Sequence, residues 1–508
     1  MTCEATAYDD FPYPGSVYPQ THPNRLAVIA ELLGMTPAPP DRCRVLEVGC
    51  GDGINLIALG CIFPGIQAEG FDLASSAIAH GQRLIDELGL TNVRLRPADL
   101  MEYEPEGLFD YIIAHGFFSW VPEPVRERLL RLCRQALAPQ GVAFVSYNAL
   151  PGFHARRLVR DALKFHAGHF PDPRTKIQQA QAMLSLLLSR RSDDEYAALL
   201  RKEAEWIVNR DNQAVLLHDD LAEINEPYYV RDFVAKAQQH GLQFLAEADF
   251  HEMNESVFPE SIARLLRPMN LLLREQYSDF LKCRRFRQTL LARSEVELER
   301  DIPPHRVKTK LIAAQVSPRS ESVCLDPGVV EGFVGRNGAA MQVDHPLTKA
   351  ALLILRDHWP RPLTFDELVA AAADCLPPHL APDEASQEGL AEILLHGFRS
   401  GLIELHKVRG DWSIVPSERP AASPLVRSML RRGDYQVASL RPANVRVDSP
   451  FKRQLLLLLD GRLDRPALAR ELADRLERRE LSLPPDAPPL PQLIETALNQ
   501  AAREALLR

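Results

Sequence analysis

The stretch RVLEVGCGDGINL, Arg44 to Leu56, constrains this chain more than any other. A short apolar run ends in Gly49, Gly51 and Gly53, so a buried strand enters a loop that must bend sharply and stay bare. Something must come close to that backbone. The spacing is G-x-G-x-G, whereas a dinucleotide fingerprint needs G-x-G-x-x-G after its strand. A P-loop needs a G-K-[ST] ending, and Asp52-Gly53-Ile54 is not that. Glu47 stands at the strand end. A carboxylate there repels a pyrophosphate but helps a cofactor made of a sulfonium and an amino acid. This is a first pointer to S-adenosylmethionine (SAM).

The surroundings fit. Strands are expected at Arg44–Val48, Ala68–Asp72, Val93–Pro97, Tyr111–Ala114 and Val142–Tyr147, with amphipathic helices at Ser75–Leu88 and Pro124–Leu137 between them. Regular alternation predicts an α/β fold with a doubly wound, Rossmann-like parallel sheet. Before it, THPNRLAVIAELLGM reads as a lead-in helix ending at Gly34. Asp72 ends the second strand, where a carboxylate can accept both ribose hydroxyls. Asp99 follows the third strand, where it or its neighbouring backbone can meet an adenine amino group. Taken singly, each acid is equally a helix cap or a loop residue. In order on alternating strands, they favour the cofactor.

With 508 residues the chain needs three or four domains. Residues 156–310 read as mostly helical, with GLQFLAEADFHEM as a strand and its loop. Beyond 310 a weak repeat appears: VDHPLTKAALLIL at 343–355 is echoed by VDSPFKRQLLLLL at 447–459, and LTFDELVAAAA by LDRPALARELA. This predicts two duplicated small helical domains, a winged-helix-like one over 311–420 and a C-terminal helical domain over 421–508 that weakly repeats it, because the period is too long for a solenoid. The net charge of −9 gives no general pull toward nucleic acid or anionic membrane. Eight cysteines occur without a C-x-x-C pair, which fits reduced thiols in a cytosolic protein. MTCEATAYDDFPYP lacks the regions of a signal peptide, and a cytoplasmic location is expected. No apolar run reaches 18 residues, so no membrane span is expected.

Residues 40–150 resemble a class I SAM-dependent methyltransferase. The resemblance extends, through YDDFPYPGSVYPQTHPNRLA, AHGFFSWVP, VSYNALPGFHARRLVRDALKFH and LLHDDLAEINEPYYVRDFVAKAQQHGLQFLAEADF, to a bacterial subgroup with a methyltransferase regulatory domain. That subgroup includes the rickettsial protein-lysine methyltransferases that modify an outer-membrane protein. The resemblance implies a SAM-binding core over 1–155, with an N-terminal lid carrying Tyr8, Tyr13 and Tyr18. It implies a helical regulatory or dimerisation domain over 156–310. The implied cofactor residues are Tyr13, Glu47, Gly49, Cys50, Gly51, Gly53, Asn55, Asp72, Leu73, Asp99, Leu100, Ala114 and His115.

Methyl transfer is an in-line displacement, so the acceptor should enter past the loop after strand four, outside the carboxyl ends of the strands. There lie His115, Phe117, Phe118 and Trp120, with Tyr147 and Asn148 ending strand five. His115, Trp120, Tyr147 and Asn148 are the expected catalytic positions. Aromatic faces suit a lysine side chain, whose stem and ammonium head both favour rings. A protein substrate carrying lysine is the expected partner, with no nucleic acid or membrane partner and with homodimerisation as a further expectation. A small-molecule acceptor and a SAM-sensing adaptor without turnover stay open as alternatives. His218, Asp219, Asp220, His251 and Glu252 match no metal-ligand spacing, so no metal is expected. RRFR at 284–287 and RSMLRRGD at 427–434 read as solvated helix faces.

Overall fold

The computed structural model describes residues 11–190, 194–210, 212–484 and 487–508, so Tyr8 lies outside the described residues. Seven strands form the central sheet: β1 (Arg44–Val48), β2 (Gln67–Asp72), β3 (Val93–Pro97), β4 (Phe109–Ala114), β5 (Leu137–Asn148), β6 (Leu242–Glu247) and β7 (Phe286–Arg293). Their order is β3-β2-β1-β4-β5-β7-β6. β1 to β5 run parallel, and β7 lies antiparallel to both β5 and β6. Val45, Leu46 and Val48 of β1 are fully buried, as expected of a central strand covered on both faces. The strand order reverses between β1 and β4, and in open α/β sheets ligands bind in the crevice beyond the carboxyl ends at such a switch point.

The local chemistry explains the elements. The helix Ser75–Leu88 stops at Gly89, whose φ of +64° places it in the left-handed conformation of a C-cap. The helix Glu123–Ala136 has Glu123 in its first turn and Arg134 in its last, which suits the helix dipole. The lead-in helix Pro23–Leu32 is capped by the His22 ring, which accepts from the Asn24 N–H at 3.2 Å.

Two expectations are corrected. The sheet does not end near residue 155. Its last two strands come from 242–293, so the division between a core at 1–155 and a helical domain at 156–310 cuts through one sheet. The helices Phe153–Ala167, Pro173–Ser189 and Glu195–Val208, with Leu216 and Leu217 beyond them, form a separate layer around Val159, Leu163, Ile177, Leu184 and Leu200. Moreover, the run through FRQTLLAR is not helical. The helix Leu271–Lys282 stops at Cys283, at φ +49°, and β7 follows. A short apolar run carries no period that separates helix from strand, and pairing with β5 and β6 decides it.

RRFR is therefore no solvated face. Arg287 is fully buried, 2.6 Å from Glu247 Oε1, 2.9 Å from Glu275 Oε2 and 2.8 Å from Asp279 Oδ1. Arg284 is buried too and meets Asp279 at 3.0 Å.

In the C-terminal half, strands Leu311–Ala313, Leu363–Thr364 and Glu404–His406 form a small sheet packed with the helices Pro346–His358, Phe365–Ala373 and Glu384–Ser400. The sequence repeat maps onto matching helix pairs, Pro346–His358 with Phe365–Ala373 and Pro450–Leu458 with Arg465–Glu477. Thr364 and Asp464 cap the second helix of each pair. The lead-in helix joins this half to the sheet: Glu31 pairs with Lys407 and, at 2.5 Å, with Lys310. Among the described residues no helix is long and apolar enough to cross a membrane.

Candidate active site

The glycine loop turns at the end of β1 with Gly49, Gly51 and Gly53 all at positive φ, +68°, +57° and +70°. L side chains avoid that region, so glycine is required here. Each glycine also meets different surroundings. A Cβ on Gly49 would lie 2.6 Å from the Phe117 ring, and one on Gly53 2.5 Å from Leu95. A Cβ on Gly51 would meet nothing within 4 Å. Gly51 therefore presents bare backbone to the crevice. The Cys50 side chain instead packs beneath the loop toward Gly70, so Cys50 contributes its backbone.

Carboxylates ring this loop. Asp72 accepts from Gly51 N at 2.9 Å and from Ala74 N at 2.9 Å. These bonds hold the acid against the loop at the end of β2. Leu73 beside it is exposed. Glu47 is buried; one oxygen accepts from Asn55 Nδ2 at 3.1 Å, and the other, Oε2, has no hydrogen-bond partner. Burial, reinforced by Asp52 and Asp72 against the opposing Asn55 bond, pushes the Glu47 carboxyl up to about 8. A buried acid short of a partner, beside bare backbone, fits a cationic amino-acid ligand. Asp99 lies after β3 and accepts from Met101 N at 2.9 Å, while Leu100 is buried in the core.

The far wall is the loop after β4. Ala114 is fully buried at the strand end. The His115 ring sits between Tyr18, 3.9 Å away, Phe144 at 5.9 Å and Phe286 at 6.2 Å, measured between ring centroids. Burial lowers His115 to about 4, and its Nδ1 has no hydrogen-bond partner. A ring so acidic is neutral near pH 7 and a poor proton acceptor. Gly116 N donates to Ser146 Oγ at 2.7 Å, which fixes the loop's path.

The other expected acceptor residues divide. Asn148 stays at the crevice: its N–H donates to Ser119 Oγ at 2.9 Å, and its Nδ2 donates to Asn225 Oδ1 at 3.0 Å. Trp120 is half-buried under Arg160, whose guanidinium carbon lies 5.7 Å from the ring. Tyr147 is corrected. Alternation along β5 turns it to the opposite face from Asn148, where it stacks on Phe233 at 4.1 Å and bonds Thr289 at 3.1 Å. Phe118 is likewise wholly buried beside it.

The N-terminal segment completes the site. Tyr18 N donates to Asn55 Oδ1 at 3.0 Å, and its phenol is pushed up to about 12 by burial and then by Glu47. Gly15 rests on Asp52, for a Cβ on it would collide with that carboxylate. Tyr13 lies farther off, its ring 6.3 Å from His218. Sequence reasoning missed Ser119, Ser146, Asn225 and Phe286. Ser119 and Ser146 stand beside expected positions in the loop after β4 and in β5, whereas Asn225 and Phe286 come from segments whose approach only the tertiary fold creates. Among the described residues no group of three His, Cys, Asp or Glu is placed to hold a metal.

A seven-stranded sheet of this order, with a glycine loop after β1 and an acid after β2, defines a class I SAM-dependent methyltransferase. Residues 45–141 match a methyltransferase domain, 212–293 a predicted methyltransferase regulatory domain, and 418–508 the C-terminal winged helix domain of PKMT. A protein of Rickettsia prowazekii is 34% identical over 242 residues, spanning 47% of this chain and 96% of its own. Another from the same organism is 29% identical over 489 residues, 94% of this chain and 87% of its own. PKMT2 from Rickettsia typhi superposes with a TM-score of 0.86 at 24% identity, covering 98% of this chain and 100% of that one. The chain belongs to the SAM-dependent methyltransferases that carry a methyltransferase regulatory domain.

Proposed function

We propose that this enzyme transfers methyl groups to lysine side chains of proteins. The observation that carries the reading is the aromatic wall formed by Tyr18 tilted against His115 at 3.9 Å, with Phe286 behind, close enough to the Glu47 carboxyl for that acid to act on the Tyr18 phenol. Rings favour the apolar stem and cationic head of lysine together. The fold shared over the whole length of PKMT2, a structure also solved in complex with AdoHcy, supports the same class of acceptor.

SAM, when bound, supplies an electrophilic methyl on its sulfonium. The chain's own residues bind and orient. Gly51 gives close backbone approach, Asp72 suits ribose hydroxyls, and Glu47 suits the amino-acid end. Asp99 and Leu100 line the side after β3. His115, held neutral, offers a ring face, one N–H donor and one bare nitrogen as acceptor, and carries no positive charge. Asn148, its amide held by Asn225, can orient the acceptor amine. The acceptor ammonium gives one proton to solvent, and the neutral amine, fixed in line, then takes the methyl without a dedicated strong base.

The test is mass-spectrometric mapping of the modified residue after reaction with lysine-bearing protein fractions. Methylation confined to lysine supports the reading. Methyl groups on carboxylates or hydroxyls instead would refute it.

A further inference from the structure

We propose that Asn444, in the C-terminal winged-helix domain, is a positioning residue that clasps the strap of residues 11–18 over the glycine loop and so sets how long the cofactor stays bound. The proposal rests on the reading that Gly51, Asp72 and Tyr18 surround the cofactor.

Asn444 uses both ends of its amide on one residue. Its Oδ1 accepts from Val17 N at 3.1 Å, and its Nδ2 donates to Val17 O at 2.8 Å. This copies the paired bonds of a β-ladder, so it fixes the direction of the strap as well as its place. Val17 itself is buried. One residue away, Gln436 Nε2 reaches Ser16 Oγ at 3.4 Å. Both contacts come from a single hairpin, Gln436–Ala438 with Asn444–Arg446. The hairpin is anchored in its own domain, because Val437 and Ala438 are buried and Leu440 N donates to Ala505 O at 2.9 Å.

The clasped residues adjoin those that touch the site. Tyr18 follows Val17 and lies on His115, while its N–H is held by Asn55. Gly15, just before Ser16, rests on Asp52 of the glycine loop. The strap's far end is tied as well: His218 Nε2 lies 2.7 Å from Phe11 O, and the Phe11 ring packs on the helical layer. The strap thus crosses the mouth of the site between two anchors from different parts of the chain. A ligand beneath it leaves when one anchor lets go. The C-terminal domain also meets the core where Arg431 and Arg432 pair with Glu87, but it reaches the strap through this anchor.

The experiment measures AdoHcy affinity and release from the full-length protein by calorimetry and stopped-flow fluorescence. Losing both hydrogen bonds to Val17 predicts AdoHcy release about thirtyfold faster in Asn444→Ala. KM for SAM rises in step, and kcat does not fall. Asn444→Asp keeps the bond from Val17 N, loses the one to Val17 O and falls between. Tyr18→Ala also speeds release, and the double variant is no faster than the faster single one, since both act through one strap. A folded Asn444→Ala or Asn444→Asp that holds AdoHcy as the parent does overturns the proposal, as do effects that multiply in the double variant. Asp72→Ala separates the two readings. If it too leaves AdoHcy binding unchanged, the site assignment fails; if it abolishes binding while both Asn444 variants behave as the parent, only the clasp fails.

Discussion

The Asp72 carboxylate accepts the backbone N–H of Gly51 at 2.9 Å, so the end of β2 is bonded to the most open point of the glycine loop. Asp72→Ala removes the acid that suits the ribose and leaves Gly51 N–H without that partner. The stability loss is about 1 kcal/mol, whereas AdoHcy affinity falls about a hundredfold, as for two hydrogen bonds to a charged group. Thermal unfolding and calorimetry on the same preparation check the contrast.

Gly51 and Gly53 differ in what lies around them, and alanine at each should separate binding from folding. At Gly51 the new methyl meets open space, so the fold loses only about 1 kcal/mol of backbone strain while the methyl occupies the ligand's place. At Gly53 the methyl strikes Leu95, and the unfolding midpoint drops further. Circular dichroism melts with and without AdoHcy distinguish the two. Gly51→Ala loses the ligand-induced rise in midpoint at near-parental stability.

Glu47 makes binding depend on pH. Burial raises its carboxyl to about 8 in the ligand-free protein, so it is mostly protonated near neutrality. A cationic ligand favours the ionised form and expels the proton. Affinity therefore climbs as pH rises toward about 8, and calorimetry in buffers of different ionisation enthalpy should register proton release. The linkage to folding has the opposite slope. Between the ordinary glutamate range and about 8 the folded chain binds more protons than the unfolded chain, so this group's contribution to stability falls as pH rises. Glu47→Gln flattens both profiles.

The fully buried Arg287 holds three carboxylates, Glu247, Glu275 and Asp279. Arg287→Met leaves Glu247 and Glu275 without their cation where β7 meets β6, while Arg284 stays at Asp279. The expected loss is about 3–5 kcal/mol in urea unfolding, partly restored at low pH when the acids protonate.

The first five strands were legible because short runs of β-forming residues alternate with helical periods, and β1 and β2 close on Gly49 and Asp72. Arg44–Val48 and Val93–Pro97 coincide with expectation to the residue. The glycine loop was legible for the same reason, since its spacing alone excludes the commoner phosphate loops. β7 was not. FRQTLLAR has no alternation, and Arg287 within it reads as solvent-facing until Glu247 and Asp279 are brought beside it from other segments. Tyr147 failed through strand parity, because one residue of shift along β5 exchanges crevice for core. The C-terminal repeat was visible as sequence. Its Asn444, however, carries no local mark, and its meaning comes only from Val17, more than four hundred positions away.

The central claim is methyl transfer to protein lysine, and one measurement reaches it most directly. The purified enzyme is incubated with methyl-labelled SAM and a lysate of its host, and label is followed on a gel and in the small-molecule fraction. The account predicts label in protein bands, mapped to lysine and absent with Asp72→Ala. Label found only in small molecules would contradict it.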